Sequence, residues 1–312
     1  MTPAQPPVLT MIIPVYNRRE MLPRVLGCVE KALRIQPFDV IVVDNGSTDG
    51  SADEATRLLR AMPLLTTTRR MVLQETRRGA SAARNCGLAA TGTPYVMFFD
   101  SDDTFEPELP QLAVETALAT GSDLIVWEID TTTHSYLPPT YPCGKRGHHL
   151  FHGSLSTQRY AVRTDLLRRA GGWNEELPVW NDLECGVRIL AQHPTISEVP
   201  GRRALAHVLQ HAASITGSRF SDRPGQRELS LDAIEQTYNR TGATDMIPMV
   251  DARRLILAEI YAREGARDAA EALRRKVYGR PYKWRTAAAL RLVATVQHIL
   301  GRGGSATALA LL

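Results

Sequence analysis

The sequence has few cysteines and no long apolar run. Its four cysteines are Cys28, Cys86, Cys143 and Cys185, and no two form a Cys-x-x-Cys pair. This spacing favours neither a zinc site nor a disulfide framework, so we expect free thiols. No stretch of 18 apolar residues occurs, and the N-terminus lacks the basic and apolar regions of a signal peptide. These absences predict a cytoplasmic protein.

Two common phosphate-binding motifs are also missing. No Gly-x-Gly-x-x-Gly follows the first predicted strand, and no Gly-x-x-x-x-Gly-Lys-Ser/Thr occurs anywhere in the chain. The sequence therefore supports neither a Rossmann dinucleotide site nor a P-loop. Any phosphate group that this protein binds must be held in another way.

Acidic residues are absent between Arg274 and the C-terminus, although the net charge of the whole chain is only +4. The basic residues of this stretch are Arg274, Arg275, Lys276, Arg280, Lys283, Arg285, Arg291 and Arg302. Such a concentration of positive charge suits an anionic membrane surface or, as a weaker possibility, nucleic acid, and a solvated helix face is the alternative. The sequence predicts a basic helical region over residues 221–312 that is a candidate for peripheral association with the inner face of a membrane.

Strand and helix patterns alternate through the first part of the chain. The predicted strands are residues 9–14, 39–43, 71–74, 95–99, 123–127, 196–199 and 204–209, and the predicted helices are 51–61, 80–90, 107–119, 156–170 and 182–192. A further helix is expected to begin at Asn17, and residues 131–152 are expected to form an irregular loop. The alternation predicts an α/β domain over residues 1–220, with a mostly parallel sheet flanked by helices.

Polar residues cluster where the predicted strands end. Pro14 to Asn17 follow the first strand, Asp44 ends the second, and Asp100 to Asp103 follow the fourth. Ligands of open α/β sheets bind beyond the carboxyl ends of the strands, so these residues predict one site. A charged Asp44 at the end of an apolar strand needs a partner, for which a nucleobase N–H or a ribose hydroxyl is suitable.

The acidic segment Asp100-Ser101-Asp102-Asp103 predicts a divalent cation. Asp100 and Asp102 point the same way if the segment is extended, and carboxylates this close repel one another unless a cation neutralises them. Hard oxygen ligands select Mg²⁺ or Mn²⁺, which commonly share their coordination with substrate phosphates. The alternative is a simple strand-to-helix turn with an aspartate cap.

Four segments together resemble a known family. They are Ile12-Ile-Pro-Val-Tyr-Asn-Arg18, Val42-Val-Asp-Asn-Gly-Ser-Thr-Asp-Gly-Ser51, Ala83-Arg-Asn-Cys-Gly87 and Phe98-Phe-Asp-Ser-Asp-Asp103. In order and spacing they are similar to the motifs of the inverting family 2 glycosyltransferases, which have a GT-A (Rossmann-like nucleotide-binding) fold. The resemblance covers residues 8–220 and implies a nucleotide-sugar donor, a UDP-sugar by family habit. It also implies a glycan or lipid-linked glycan acceptor, and no nucleic acid.

The resemblance assigns a role to each matching residue. The donor-nucleotide contacts it implies are Pro14, Val15, Tyr16, Asn17, Asp44, Arg78, Arg84, Asp100, Ser101 and Asp103. Asp102 is the implied direct ligand of Mn²⁺ or Mg²⁺, with Asp100 beside it. His211, just before Ser-Ile-Thr-Gly, is the implied third metal ligand.

A downstream motif of the family matches Asn181-Asp182, with Arg188 at the expected spacing. Asn181 replaces the usual glutamate, and Asp182 becomes the candidate general base. Glu184 is a second candidate in the same helical turn and a candidate acceptor contact. Trp173 and Trp180 flank the motif and are candidates for stacking on the acceptor sugar.

Two other functions fit parts of this pattern. A sugar-phosphate nucleotidyltransferase also combines an α/β nucleotide site with a metal, but the chain lacks the Gly-rich basic loop expected after the first strand. A catalytically inactive nucleotide-sugar-binding protein is the other alternative, and retention of Asp100, Asp102 and Asp182 argues against it.

Overall fold

The chain folds into two compact units in a computed structural model that describes residues 6–63, 67–131, 147–201, 203–209 and 219–312. The first unit comprises Met1–Thr140, Leu155–Glu176 and Gln192–Gln210. The second comprises Tyr141–Ser154, Leu177–Ala191 and His211–Leu312. Two earlier segments thus group with the C-terminal helices, and the predicted assignment of roles to residues 1–220 and 221–312 stays a prediction.

The first unit is built on a seven-stranded sheet in the order β3-β2-β1-β4-β8-β6-β9, with a small sheet in the order β5-β10-β7. The strands are β1 (Leu9–Val15), β2 (Asp39–Asp44), β3 (Arg70–Gln74), β4 (Tyr95–Phe98), β5 (Thr104–Phe105), β6 (Leu124–Val126), β7 (Glu128–Thr131), β8 (Tyr160–Arg163), β9 (Ile196–Glu198) and β10 (Ala204–Val208). β2 is buried throughout and pairs in parallel with β1 and β3, as its continuous apolar run predicts. β1 also pairs in parallel with β4, so the carboxyl ends of β1, β2 and β4 lie at the same edge of the sheet.

β8 corrects the sequence-based assignment of residues 156–170 to one helix. The segment contains a 3₁₀ turn at Thr157–Arg159, then β8, then helix α6 at Thr164–Arg169. β8 lies antiparallel between β4 and β6, with Tyr160, Ala161 and Val162 buried. Pairing with β4 and β6 supplies hydrogen-bond partners for the backbone N–H and C=O groups of this short apolar segment. These tertiary contacts outweigh its weak helical periodicity. The sheet is mixed and mostly parallel.

Amphipathic helices cover the sheet of the first unit. They are α1 (Leu22–Leu33), α2 (Ser51–Ala61), α3 (Ala80–Ala90) and α4 (Leu109–Thr120), together with α6. The predicted bounds of α2 and α3 are confirmed. The prediction that the first helix begins at Asn17 is wrong, because α1 begins at Leu22 and Asn17 adopts a left-handed backbone with φ of 50°.

The second unit is helical. Its helices are α5 (His148–His152), α7 (Asn181–Leu190), α8 (Gln226–Thr241), α9 (Ile247–Arg263), α10 (Arg267–Tyr278), α11 (Trp284–Leu300) and α12 (Gly304–Leu311). α5 replaces the end of the loop predicted over residues 131–152, of which residues 132–146 lie outside the described part. Among the helices that the structure describes, none is both long and apolar enough to cross a bilayer.

Candidate functional site

The loops that follow β1 and β2 are held together by Asn17. Its side-chain oxygen accepts a hydrogen bond from the Thr48 N–H at 2.9 Å, and its own N–H donates to Ser47 Oγ at 2.9 Å. This pairing explains why the Asn17 backbone turns left-handed, a conformation that asparagine tolerates better than most residues. Of its predicted neighbours in the site, Val15 is buried, Pro14 is partly buried and Tyr16 is 48% exposed.

Asp44 ends β2 as a buried carboxylate with one satisfied oxygen. The Ser47 N–H donates to its Oδ2 at 3.2 Å, while Oδ1 is buried and has no hydrogen-bond partner. A buried, unpartnered carboxylate oxygen costs free energy that a donor from a ligand can recover. Asp44 Oδ1 is therefore an acceptor that a ligand could use, and the nucleoside contact predicted from the sequence stays a prediction.

Asn45 is a structural residue of the site that the sequence-based assignment missed. Its amide donates to the carbonyls of Glu75 and Arg77 at 3.0 and 2.6 Å, and its side-chain oxygen accepts from the Gly79 N–H at 2.8 Å. Asn45 thus fixes the loop that leads from β3 into α3. Its position directly after Asp44, within turn-forming residues, is the only signal of this role in the sequence.

The acidic segment after β4 is a turn and is not extended. The Asp103 N–H donates to the Asp100 carbonyl at 3.3 Å, so Ser101 and Asp102 are its central residues. The expectation that Asp100 and Asp102 point the same way in an extended stretch is therefore wrong. The turn, together with a side chain from a distant segment, sets the positions of these carboxylates.

That side chain is Gln158, which sequence reasoning also missed. Its Nε2 donates to Asp100 Oδ2 at 2.6 Å and to Asp103 Oδ2 at 2.5 Å. Arg84 donates to the other oxygen of Asp100 at 2.8 Å, and the Leu209 N–H donates to Asp103 Oδ1 at 2.9 Å. Both oxygens of Asp100 and both oxygens of Asp103 are therefore engaged by protein donors. No motif near Gln158 could have indicated this contact.

Burial and the neighbouring carboxylates of the acidic turn disfavour the ionised form of Asp103. Burial, followed by the nearby charge of Asp100 and then that of Asp102, raises the pKa of Asp103 to about 8, against the hydrogen bonds from Leu209 and Gln158. A carboxylate cluster that resists ionisation is one that a cation would stabilise.

The donor set fits a hard divalent cation shared with a substrate. The Asp102 side chain is 21% exposed and forms an ion pair of 3.9 Å with Arg18, while the Asp100 side chain is 32% exposed. Within the described residues, no three His, Cys, Asp or Glu side chains converge as a metal site. Mg²⁺ and Mn²⁺ are often bound through one or two carboxylates together with substrate phosphates and water.

Helix α3 carries Arg84 to the acidic turn. The Arg84 side chain is buried, and its guanidinium lies 4.4 Å from the ring centroid of Trp173. Asn85 hydrogen-bonds both the N–H and the carbonyl of Trp173 at 2.8 Å. Arg78, the alternative to Arg84 in the sequence, is exposed. Trp173 is only 2% exposed and supports Arg84, a placement that does not favour sugar stacking.

The second unit holds the candidate base motif at the start of α7. Asp182 is partly buried, and its Oδ1 accepts from the Leu183 N–H at 2.8 Å. Glu184 is buried and forms two hydrogen bonds with Arg188, at 2.6 and 2.8 Å. Because Arg188 neutralises the Glu184 carboxylate, Glu184 is a weak candidate for proton abstraction, and Asp182 as the base stays a prediction.

The histidine predicted as a metal ligand, His211, lies outside the described residues. The nearby His207, on β10, is described and is a bridge between strands. Its ring nitrogens lie 2.7 Å from Asp130 and 3.0 Å from Glu106. Although burial lowers it, hydrogen bonds to these two carboxylates raise the pKa of His207 above its ordinary value. His207 therefore stabilises the small sheet.

Known proteins resemble this chain over its first half. The family model described as Glycosyl transferase family 2 matches residues 10–142. Glycosyltransferase AglE of Haloferax volcanii is 30% identical over 127 residues, covering 40% of this chain and 40% of the relative. Glycosyltransferase GlyG of Streptococcus pneumoniae is 26% identical over 171 residues, covering 53% and 51%. The chain thus spans about half the length of these relatives.

Solved structures share the fold over most of the chain. TarS residues 1–349 of S. aureus align with a TM-score of 0.58 at 18% identity, covering 88% of this chain and 93% of that one. Mannosyltransferase PcManGT of Pyrobaculum calidifontis, solved with GDP-Man and Mn²⁺, aligns with a TM-score of 0.54 at 19% identity, covering 96% and 89%. At these identities the likeness establishes the fold, which is GT-A.

Proposed function

We propose that this chain, whose residues 10–142 belong to glycosyl transferase family 2, moves a sugar from a nucleotide-sugar donor to a hydroxyl group of a glycan or polysaccharide acceptor. The observation that carries the proposal is the acidic turn after β4, on the same sheet edge as the unsatisfied carboxylate oxygen of Asp44. Asp44 suits the neutral, polar nucleoside end of a nucleoside diphosphate, and the acidic turn, with a cation, suits its anionic diphosphate end.

In this proposal the first unit binds the donor. Asp44 accepts a hydrogen bond from the base or ribose, and Asn17 and Asn45 hold the loops that position it. Asp102 is the direct ligand of Mg²⁺ or Mn²⁺, which when bound neutralises charge on the departing diphosphate. Gln158 and Arg84 fix Asp100 behind it. The other predicted donor contacts, Pro14, Val15, Tyr16, Arg78, Ser101 and Asp103, stay proposals, as does His211 as a metal ligand.

Asp182 is the proposed general base. It takes the proton of the acceptor hydroxyl as that oxygen bonds to the anomeric carbon and the bond to the nucleoside diphosphate breaks. Displacement from the opposite face inverts the configuration. Partial burial and the hydrogen bond from the Leu183 N–H orient the Asp182 carboxylate. Arg188 forms an ion pair with Glu184 in the same helix. The donor is proposed to be a UDP-sugar.

The test is a donor screen that measures released nucleoside diphosphate, with calorimetry of donor binding beside it. Asp182→Asn should lower turnover about 10²–10⁴-fold and leave donor affinity unchanged, since it removes only the base. Asp102→Asn should weaken donor binding in Mn²⁺. Asp165→Asn, an exposed carboxylate on α6, is the matched control.

Full turnover by the Asp182→Asn enzyme would remove Asp182 from the mechanism. Unchanged donor affinity of Asp102→Asn in Mn²⁺ would remove the metal role. Binding of a donor without turnover on a broad acceptor panel would favour an inactive nucleotide-sugar-binding protein, and release of pyrophosphate from a nucleoside triphosphate would favour a nucleotidyltransferase.

We also propose that the helical C-terminal region associates with a membrane surface. α11 exposes Trp284, Leu292 and Ile299 at 75%, 47% and 69%. Arg285 and Arg291 are exposed on the same helix, and no described carboxylate pairs with either. A tryptophan and aliphatic residues beside arginines suit the headgroup region of an anionic bilayer.

A further inference from the structure

Trp180, two residues before Asp182, lies close to two arginines of the second unit. The guanidinium of Arg253, on α9, lies 4.8 Å from the Trp180 ring centroid. The guanidinium of Arg227, on α8, lies 5.8 Å from the same ring and 3.9 Å from the Phe220 ring. Trp180 and Phe220 meet edge to face at 6.1 Å. Trp180 and Phe220 thus form a small aromatic cluster that two arginine side chains contact.

Neither arginine has a carboxylate partner among the residues that the structure describes. Arg227 is 6% exposed and donates one hydrogen bond, to the Phe220 carbonyl at 3.0 Å, while its Nε is buried and unsatisfied. Arg253 is partly buried, its Nε is likewise buried and unsatisfied, and burial lowers its pKa to about 10. Buried arginines are normally paired, so two unpaired ones together are unusual.

The acidic residues nearest along these helices are already engaged. Asp251 accepts hydrogen bonds from Arg254 and Tyr282, and Glu228 accepts one from the Tyr261 hydroxyl. Arg254 shows what a fully compensated arginine in this unit looks like, since it is wholly buried among Asp251, Asp232 and Glu235. The contrast singles out Arg227 and Arg253 as cations without a protein counter-charge.

We infer that Arg227 and Arg253 bind an anionic group of the acceptor, a phosphate or a carboxylate, with Trp180 stacking on the sugar that carries it. The proposal rests on the proposed function, because it places the acceptor beside Asp182. Guanidinium groups hold phosphate and carboxylate through paired hydrogen bonds, and a ligand there supplies the acceptors that the protein does not. The loop is built for rigidity, since Ser230 donates to the Val179 carbonyl at 2.6 Å and Trp180 adopts a left-handed backbone with φ of 52°.

The rival explanation is a structural role, in which the two cation–π contacts only stabilise the fold. Such contacts favour the folded state, whereas an unpaired buried cation opposes it. Stability therefore separates the two explanations. Arg253→Met should leave the Tm unchanged or raise it if Arg253 exists to bind a ligand, and a clear fall in Tm would assign it to packing.

The binding test uses calorimetry on the full chain with three probes, namely mannose 6-phosphate, glucuronic acid and unmodified mannose. UDP and Mg²⁺ are present at saturation so that the donor site does not take up the phosphate. At least one anionic probe should bind about tenfold more tightly than mannose, and Arg253→Gln and Arg227→Gln should each weaken it about tenfold. The preferred anion tells phosphate from carboxylate. Arg275→Gln, an exposed arginine on α10, should change nothing.

Equal affinity for charged and neutral probes, or unchanged affinity in both arginine variants, would overturn the inference. Failure of the proposed function gives a different result. If UDP does not bind but mannose 6-phosphate still binds in an Arg253-dependent way, the donor assignment is wrong and the anion site stands.

Discussion

At the residue scale, the acidic turn shows how a distant amide can organise carboxylates. Gln158 donates to Asp100 and Asp103 through its side-chain nitrogen Nε2. Its backbone carbonyl accepts a hydrogen bond from the Trp127 indole N–H at 2.7 Å. The Trp127 contact positions the backbone of Gln158 beneath the turn. Asp102 lies between these two carboxylates and forms an ion pair with Arg18 at 3.9 Å.

Asp103 makes the stability of the metal-free protein depend on pH. The pKa of Asp103 is raised to about 8 from an ordinary value of 3.8. Between these two pH values the folded state keeps a proton on Asp103 that the unfolded state has already released. The stabilisation is complete below about pH 4 and is lost as the pH rises towards 8. This stabilisation is about 6 kcal/mol at most.

We expect the Tm of the wild-type chain, relative to that of Asp103→Asn, to fall between pH 5 and pH 8 and to level off above that, because the asparagine variant cannot ionise. Thermal unfolding in the absence of divalent cations measures this difference. Parallel Tm curves for the two proteins would show that Asp103 is ionised in the folded state throughout this range.

At the scale of elements, α3 lies close to β1 because of one glycine. A Cβ at Gly87 would lie 2.5 Å from Ile12 Cγ2, on the buried strand β1. The close approach lets α3 deliver Arg84 to the acidic turn and Asn85 to the Trp173 backbone. The glycine of the Ala83 to Gly87 motif therefore serves packing, while the arginine serves the site.

Gly87→Ala should lower the free energy of unfolding by about 1–3 kcal/mol, as expected for overpacking of a dense core. Gly27→Ala is the matched control, since Gly27 lies within helix α1 and a Cβ there would meet nothing within 4 Å. The control should be stabilised by up to about 1 kcal/mol from helix propensity alone. Urea unfolding of both variants decides the point, and equal effects would mean that α3 can move away from β1 without cost.

At the scale of the whole molecule, tertiary contacts redistribute the basic charge of the C-terminal region. Arg274 pairs with Glu259, Lys276 with Asp232, and Arg280 with Glu235 and Asp251. These three cations are therefore largely neutralised within the second unit. The positive charge that is not neutralised is concentrated on and around α11, which also exposes Trp284, Leu292 and Ile299.

We expect the full chain to float with vesicles containing phosphatidylserine and to remain unbound with neutral vesicles. Arg285→Glu/Arg291→Glu should reduce the bound fraction severalfold, since each basic residue contributes about 1 kcal/mol near an anionic surface. Trp284→Ser should reduce it as well, and Arg267→Glu, an exposed arginine at the start of α10, is the charge control. Equal flotation with neutral vesicles, or none with anionic ones, would contradict a membrane role for α11.

The sequence by itself determined the features that depend on local pattern. Apolar runs and turn residues placed β1, β2, β4, α2 and α3, and the ordered motifs identified the family and the fold. These predictions succeeded because helix and strand periodicity, and the loops at strand ends, are properties of short segments.

Only the tertiary structure decided the features that depend on distant partners. It converted the segment containing Tyr160 to Val162 into an antiparallel strand, brought Gln158 to the acidic turn and buried Trp173 under Arg84. It also joined Glu184 to Arg188 and left Arg253 without a counter-charge among the described residues. Burial and ion pairing depend on which surfaces meet in three dimensions, and the order of residues along one chain does not specify that.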